Sequence, residues 1–171
     1  MPNILIAYYS RRGENYWDGQ IVSLAKGNTE VVAGMIQKVV GGDLFEIDTV
    51  KPYPADYTAC TEVAQEELRC NARPELKNYL ESLAGYDTIF VGFPNWWGTC
   101  PMAVFTFLEH YDLTGKKIIP FCTNEGSGMG SSERDLKKVC TGAEVLNGLQ
   151  IRGYKAVQSE AVVVQWEEKF K

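Results

Sequence analysis

Residues 88–99, TIFVGFPNWWGT, combine an apolar strand with a loop that carries two adjacent tryptophans and a glycine. Residues 117–131, KIIPFCTNEGSGMGS, repeat this design with a loop of small residues. Ligands of open α/β sheets bind in the crevice beyond the carboxyl ends of the strands. Because one loop offers flat indole rings and the other offers free backbone N–H groups, we predict a site for a flat, partly polar aromatic ligand such as an isoalloxazine ring.

The apolar pattern alternates between strand-like and helix-like segments along the whole chain. Strands are predicted at 3–9, 43–47, 87–93, 116–122 and 144–151, and helices at 28–40, 74–84, 101–110, 131–140 and 158–170. This alternation predicts an α/β fold, with a three-layer, doubly wound, five-stranded parallel sheet in a single domain over residues 1–171. Pro120 lacks a backbone donor, so we expect a local bulge in the fourth strand.

Two connections are longer than usual βα loops. Residues 11–26 separate the first strand from its helix, and residues 48–73 follow the second strand. Within the second connection, residues 56–70 predict an extra short helix. Long loops in a compact domain are often functional, and a surface elaboration without a role is the alternative for both.

Composition excludes several classes of protein. The net charge of −5 disfavours nucleic-acid binding, and no apolar run approaches the roughly 20 residues of a membrane span. Residues 1–20 lack the pattern of a signal peptide, so a cytoplasmic location is expected by default. The five cysteines include no C-x-x-C pair and His110 is the single histidine, which argues against a disulfide framework or a metal site. We expect His110 at an exposed helix end and Cys100 in the core.

A phosphate group needs hydrogen-bond donors around its oxygens, and a helix N-terminus supplies them. Ser10 ends the first predicted strand, and Gly27-Asn28-Thr29 opens the first helix, so both lie at the same edge of the sheet. One interpretation joins Ser10 to Asn28 and Thr29 around the phosphate, with Arg12 as a contributor. The other makes residues 12–15 part of the cradle. We favour the first because it uses the helix N-terminus, and an ordinary helix start is the alternative to both.

The tryptophan loop has features that suit a flavin ring. Adjacent side chains point in different directions, so we expect at most one of Trp96 and Trp97 to stack on the ring. Gly98 allows the backbone to reorient, and a carbonyl there could turn toward flavin N5 when that atom is protonated. The loop with Gly126, Gly128 and Gly130 permits close approach of the backbone to the opposite edge of the ring.

Other classes of protein with such a fold carry sequence motifs that this chain lacks. The spacing G-x-G-x-G differs from the dinucleotide fingerprint G-x-G-x-x-G, and no Gly-Lys-Ser/Thr follows a glycine-rich loop. Strand one ends in Tyr8-Tyr9-Ser10 rather than in the carboxylates of a receiver domain. No cysteine has an arginine six residues after it, as a small cysteine phosphatase requires, and no G-x-S-x-G turn is present.

The chain resembles the flavodoxin family over essentially its whole length. The resemblance rests on Tyr8-Tyr9-Ser10-Arg11, Gly27-Asn28-Thr29-Glu30, Pro94-Asn95-Trp96-Trp97-Gly98 and Thr123-Asn124-Glu125-Gly126-Ser127-Gly128. It is closest to flavodoxin-like proteins in which an insertion interrupts the phosphate-loop motif, here at residues 11–26. The resemblance implies strand order 2-1-3-4-5, with FMN at the switch point between strands one and three. The cofactor-binding residues it implies are Ser10, Arg12, Asn28, Thr29, Pro94, Asn95, Trp96, Trp97, Gly98, Thr99, Thr123, Asn124, Glu125, Gly126, Ser127 and Gly128.

Three functions remain open at this point. The first is an FMN-binding redox protein that passes electrons to or from partner proteins or a small-molecule acceptor, with Glu125 and Asp56 as candidates for lowering the flavin potential. The second is an FMN-dependent NAD(P)H or quinone oxidoreductase, whose substrate site the 11–26 or 48–73 segment could supply. The third is a flavin-free interaction module. We assign no catalytic residue and no metal ligand, and the oligomeric state is undetermined.

Overall fold

A parallel sheet forms the centre of the computed structural model, which describes residues 3–17 and 19–167. The strands are β1 (Ile4–Tyr8), β2 (Gly13–Trp17), β3 (Gln20–Leu24), β4 (Asp43–Glu46), β5 (Thr88–Pro94), β6 (Lys117–Asn124), β7 (Glu144–Val145) and β8 (Leu149–Arg152). The central order is β4-β1-β5-β6, and both β7 and β8 pair with β6 at the fifth position. All of these pairings are parallel, which confirms the predicted fold and the order 2-1-3-4-5.

Helices cover both faces of the sheet. They are α1 (Asn28–Val40), α2 (Tyr57–Arg69), α3 (Met102–Glu109), α4 (Ser132–Val139) and α5 (Glu160–Glu167), with a 3₁₀ helix at Gly153–Gln158. Alternate residues of β1 separate two cores: Leu5 and Ala7 join the cluster that contains α3, whereas Ile6 and Tyr8 join the cluster that contains α1 and α5. This period-two alternation produces the three layers. The helix predicted to 170 is described only as far as Glu167, and residues 168–170 lie outside the described residues.

The two long connections contain secondary structure of their own. The predicted short helix at 56–70 is present as α2, which Asp56 caps by accepting a hydrogen bond from the Ala59 amide at 2.8 Å. Residues 11–26 contain the antiparallel hairpin β2–β3, which the sequence analysis did not predict. Both elements lie beside the carboxyl edge of the sheet, because they follow β1 and β4.

The prediction of a helix at 74–84 is wrong. This segment is irregular and packs Leu76 and Leu83 into the core. Its backbone instead pairs with the chain after β4, through Val50 N to Glu75 O and Lys77 N to Asp48 O, both at 2.9 Å. These hydrogen bonds satisfy groups that a helix would have paired internally, so apolar spacing alone was misleading.

Pro120 does not produce the predicted bulge in its strand. The β5–β6 register continues one to one through Val91 and Pro120. The carbonyl oxygens of Lys116 and Ile118 face the fifth position, and the alternation of a strand places Pro120 on that same side. Pro120 offers no N–H donor on that side. The pairing of β6 with the fifth strand is therefore interrupted at Pro120, and the fifth strand is divided into β7 and β8.

Candidate functional site

Two adjoining cavities open at the carboxyl ends of β1, β5 and β6. The cofactor cleft, of about 230 Å³, is lined by Arg11, Asn15, Asn28, Tyr57, Pro94, Asn95, Trp96, Thr123, Asn124, Glu125, Ser127 and Gly153. The side chamber, of about 410 Å³, is lined by Arg11, Ile21, Tyr57, Thr58, Cys60, Thr61, Ala64, Asn95, Trp96 and Trp97. Four residues line both, so the two cavities meet at Arg11, Tyr57, Asn95 and Trp96.

One end of the cofactor cleft is the N-terminus of α1. Ser10 Oγ accepts a hydrogen bond from the Glu30 amide at 3.0 Å, and Gly27 O accepts one from the Val31 amide at 3.1 Å. Among the described residues, the amides of Asn28 and Thr29 make no hydrogen bond, as expected for the first positions of a helix. These two N–H groups and the Asn28 side chain therefore form a neutral donor set that fits a phosphate.

Thr29 contributes to this end through its backbone rather than its hydroxyl. Thr29 Oγ1 lies 2.8 Å from Thr123 Oγ1 in a buried hydrogen bond that ties α1 to β6. Gly153 closes the neighbouring wall: a Cβ there would lie 2.4 Å from Asn28 Nδ2 and 2.7 Å from Glu125 Oε1. The start of α1, the end of β6 and the 3₁₀ helix are thus packed together around the cleft.

The residues after β5 form a tight turn. Trp96 and Thr99 exchange backbone hydrogen bonds of 2.9 and 3.3 Å, and the two central residues, Trp97 and Gly98, have φ values of +56° and +89°. Positive φ at both central positions identifies a type I′ turn, which glycine adopts easily and tryptophan does not. The Gly98 carbonyl accepts hydrogen bonds from the Ser131 amide and hydroxyl at 2.6 and 3.1 Å, which fixes the turn against α4.

Asn95 joins the two loops that were predicted to hold the ring. Its amide N–H donates to Thr123 O at 2.8 Å and its Nδ2 donates to Gly128 O at 2.8 Å. Its Oδ1 accepts from the Gly98 amide at 2.8 Å. On the second loop, Asn124 Oδ1 accepts from the Gly126 amide at 2.7 Å. The two loops therefore form one hydrogen-bonded unit.

The two tryptophans occupy different environments, as expected for neighbours. Trp96 is half-buried and packs edge to face against Tyr9 and Tyr53, with ring centroids 5.2 and 5.0 Å away. Tyr53 in turn donates to Glu67 Oε1 at 2.6 Å. Burial and this hydrogen bond raise the pKa of Tyr53, and burial raises the pKa of Glu67. A fixed network from α2 therefore sets the position of Trp96.

Arg11, rather than Arg12, faces the cavities. Arg11 donates to Glu14 O at 2.8 Å and to Pro54 O and Ala55 O at 3.0 Å, which joins the hairpin to the start of α2. Arg12 is turned away from both cavities and forms ion pairs with Glu30 and Glu46 at 3.3 and 3.2 Å. A charged contribution to the cleft therefore comes from the neighbour of the arginine that we predicted.

The structure brings most predicted residues to the cleft and its loops. Thr99 is an exception, because its buried hydroxyl donates to Asp135 on α4 at 2.7 Å. Asp56 does not line the cleft and instead caps α2. Asn15, which belongs to the alternative cradle of residues 12–15, does line the cleft. Sequence reasoning missed Tyr57 and Gly153 in the cleft and Cys60 in the side chamber, because no local signal shows that their segments fold back to these cavities.

The remaining predicted features are placed as follows. Cys100 is buried, as expected, and burial raises the pKa of its thiol well above the ordinary value, which disfavours the reactive thiolate. His110 is exposed at the end of α3. Within the described part of the chain, no cluster of His, Cys, Asp and Glu could hold a metal ion. Over the same residues, no helix is long and apolar enough to cross a membrane.

Fold and site together define a doubly wound α/β protein. Its cleft lies at the switch point of the sheet, where β4 is on one side of β1 and β5 is on the other. A family model described as flavodoxin matches residues 21–170. The chain belongs to the flavodoxin family, as the sequence resemblance predicted. FMN is the cofactor that flavodoxins bind at this switch point, in agreement with the predicted cofactor.

Solved structures agree with this assignment. A candidate flavoprotein from Bacteroides uniformis ATCC 8492 has a TM-score of 0.77 and 31% identity, covering 98% of this chain and 98% of that chain. A candidate flavoprotein from Bacteroides eggerthii DSM 20697 has a TM-score of 0.76 and 29% identity, covering 98% and 96%. A flavoprotein in complex with FMN from Lactobacillus acidophilus NCFM has a TM-score of 0.64 and 20% identity, covering 88% and 93%, a likeness of fold alone. A search of curated proteins finds no match.

Proposed function

We propose that this protein binds FMN in the cofactor cleft and transfers electrons through it to or from partner proteins. The observation that carries the proposal is the arrangement of the cleft, which has a neutral donor set at the start of α1 and the Asn95-linked loops at the other end. A phosphate on Asn28 and Thr29 would leave the ring between Trp96 and the loop after β6. Family membership and the FMN complex of a protein with the same fold support this assignment.

The cofactor supplies one- and two-electron chemistry, and the protein supplies binding, orientation and electrostatics. Asn28 and Thr29 would hold the phosphate through neutral donors. Arg12 would add no positive charge there, because it is paired with Glu30 and Glu46. Glu125 lines the cleft and would disfavour additional negative charge on the ring. Arg11, which also lines the cleft, would instead favour negative charge on the ring. The balance of these two side chains is expected to set the potential.

The side chamber favours a second candidate, an FMN-dependent NAD(P)H or quinone oxidoreductase. Its volume lies within the range of about 300–1,000 Å³ that is common for small-molecule sites. Much of its lining comes from the hairpin and α2, the two elements that lengthen the minimal fold. An electron carrier has no need of such a chamber beside its flavin, whereas a reductase needs room for a substrate.

Reductive titration of the FMN-loaded protein distinguishes these functions. A carrier should accumulate one-electron reduced flavin and should oxidise NADH or NADPH almost not at all when a quinone is supplied. A reductase should pass directly to the two-electron reduced flavin and turn over with quinone. Failure to take up FMN would contradict both proposals and favour the flavin-free interaction module. The cytoplasmic location stays a prediction from the sequence.

A further inference from the structure

A third cavity, of about 460 Å³, lies on the far side of the Trp96–Thr99 turn from the cofactor cleft. We call it the basic groove. It runs between the end of α2, the start of α3 and the exposed face of α4. Leu68, Met102, Phe105 and Val139 supply its apolar lining. Trp97 lines both this groove and the side chamber, so a single indole separates the groove from the chamber that adjoins the cofactor cleft.

The outward charges of the groove are positive, although the chain carries a net charge of −5. The side chain of Arg134 is 69% exposed and Lys138 is exposed beside it on α4. Asp135, the carboxylate that lines the groove, is turned inward, because it accepts hydrogen bonds from the hydroxyls of Thr99 and Ser131 at 2.7 and 3.0 Å. Arg134 pairs with Asp135 at 3.4 Å, and Lys138 has no ion pair among the described residues. Because both side chains are exposed, a partner's carboxylates can reach Lys138 directly and can compete with Asp135 for Arg134.

Arg73 shapes the apolar floor of the groove. Its guanidinium lies 5.5 Å from the centroid of the Phe105 ring and is paired with Glu109 at 2.6 Å. On the neighbouring wall, Glu66 of α2 is paired with Arg69. Glu109 and Glu66 thus have cationic partners, and Asp135 offsets Arg134, so the charge of Lys138 remains unbalanced and the groove has a net positive charge.

Trp97 is held in a costly position at the edge of this groove. Its φ of +56° lies in the left-handed region that bulky residues avoid, and its side chain remains 51% exposed. Its Nε1 donates to Thr61 O at 2.8 Å, which fixes the indole over the end of the groove. A strained residue that persists on the surface points to a function for its side chain.

We propose that the basic groove is the docking site for an acidic redox partner protein. The partner would insert an apolar side chain beside Trp97 and place carboxylates on Arg134 and Lys138. Tryptophan and arginine are the residue types most enriched at the energetic centres of protein interfaces, and opposite charges speed encounter. The inference rests on the proposed function, because it supplies a short path between the partner and the flavin through the Trp96–Thr99 turn.

The test uses a plant-type [2Fe–2S] ferredoxin as an acidic probe and cytochrome c as a basic one. The ¹⁵N-labelled chain is titrated with each probe while the Trp97 Nε1–H signal is followed. The double variant R134E/K138E reverses the two groove charges. The double variant K38E/K117E makes the same change in net charge at exposed sites near the other edge of the sheet. FMN affinity is measured for every variant.

We expect ferredoxin to shift the Trp97 signal, R134E/K138E to weaken binding about tenfold, and K38E/K117E to weaken it far less. Equal effects of the two double variants, or a Trp97 shift caused only by cytochrome c, would overturn the docking proposal. FMN uptake without ferredoxin binding would contradict the docking site while leaving the proposed function intact. Ferredoxin binding at Trp97 without FMN uptake would contradict the proposed function instead.

Discussion

Asn95 Nδ2 donates a hydrogen bond of 2.8 Å to the carbonyl oxygen of Gly128, and this contact spans the two loops that flank the cofactor cleft. The same side chain holds the Gly98 amide through Oδ1. Asn95 thus fixes the relative position of the tryptophan turn and the glycine-rich loop. It also holds the Trp97–Gly98 peptide in its present orientation, which opposes the turning of a carbonyl toward the ring that the sequence suggests.

Replacement of Asn95 is expected to weaken FMN binding. Asn95→Asp keeps an acceptor for Gly98 but places a carboxylate oxygen against the Gly128 carbonyl, so affinity should fall about tenfold, or ~1.4 kcal/mol. Asn95→Ala loses both contacts and should bind no better. Fluorescence titration with FMN measures the effect, and Asn147→Asp at an exposed position is the control for charge. Equal affinity in Asn95→Asp and the control would exclude a role for the Gly128 contact.

Gly130 is expected to tolerate no side chain, for a steric reason beyond its backbone conformation. A Cβ at Gly130 would lie 2.2 Å from Gly98 O, whereas one at Gly128 would meet nothing within 4 Å. Both residues have positive φ, +58° and +67°, so alanine at either site incurs a similar backbone cost. Gly130→Ala should therefore lower the free energy of unfolding by roughly 1–3 kcal/mol more than Gly128→Ala in urea denaturation. The same loss in both variants would show that the two loops do not approach this closely.

Ser10 is expected to stabilise the start of α1 even without a ligand. The N-cap residue, Gly27, has no side chain, and Ser10 Oγ accepts from the Glu30 amide in its place. Ser10→Ala should cost the apo protein about 1 kcal/mol of unfolding free energy. Ser23→Ala, on the exposed side of β3, provides a comparison that should leave stability nearly unchanged. Urea denaturation of the two variants measures the difference, and a neutral Ser10→Ala would contradict the capping contact.

Alkaline pH is expected to destabilise the fold through its buried tyrosines. Burial, with help from Glu46 and Glu30, raises the pKa of Tyr8 from 10.0 to about 12. Burial also raises the pKa of Tyr9 and Tyr53. Below pH 10 both the folded and the unfolded chain keep these protons. Between pH 10 and about 12 only the unfolded chain releases them, so the free energy of unfolding falls as pH rises.

Near-ultraviolet absorbance of phenolate, recorded beside circular dichroism, tests this prediction. The buried tyrosines should ionise together with unfolding rather than before it, and Tyr8→Phe should make the alkaline loss of stability less steep. Reversible ionisation of all tyrosines in the folded protein near pH 10 would contradict the burial of these three phenols.

The buried strands could be predicted from the sequence because each is a short apolar run with a polar loop at its end. Residues 74–84 could not, since Leu76, Leu80 and Leu83 have helical spacing while their backbone pairs with a distant segment. The hairpin did leave a signal, the Asp18-Gly19 dipeptide between two potential strands, which is a strong indicator of a two-residue turn. It was missed because the segment has little apolar alternation.

The site residues likewise fall into two groups: those placed by the strand that they follow, and those placed by contacts with distant segments. The loops after β5 and β6 are local to their strands, so their residues could be placed from sequence alone. Arg11 and Arg12 could not be distinguished, because the direction of each side chain depends on the hairpin and on carbonyls of residues 54 and 55, more than forty positions away. Contacts made by such folded-back segments determine the side chamber, and they have no sequence motif.

The most direct test of the central claim is an equilibrium titration of the purified protein with FMN and, separately, with riboflavin. We expect stoichiometric uptake of FMN with quenched flavin fluorescence, and markedly weaker binding of riboflavin, which lacks the phosphate that Asn28 and Thr29 would hold. No uptake of FMN, or equal affinity for both flavins, would contradict the assignment of the cleft.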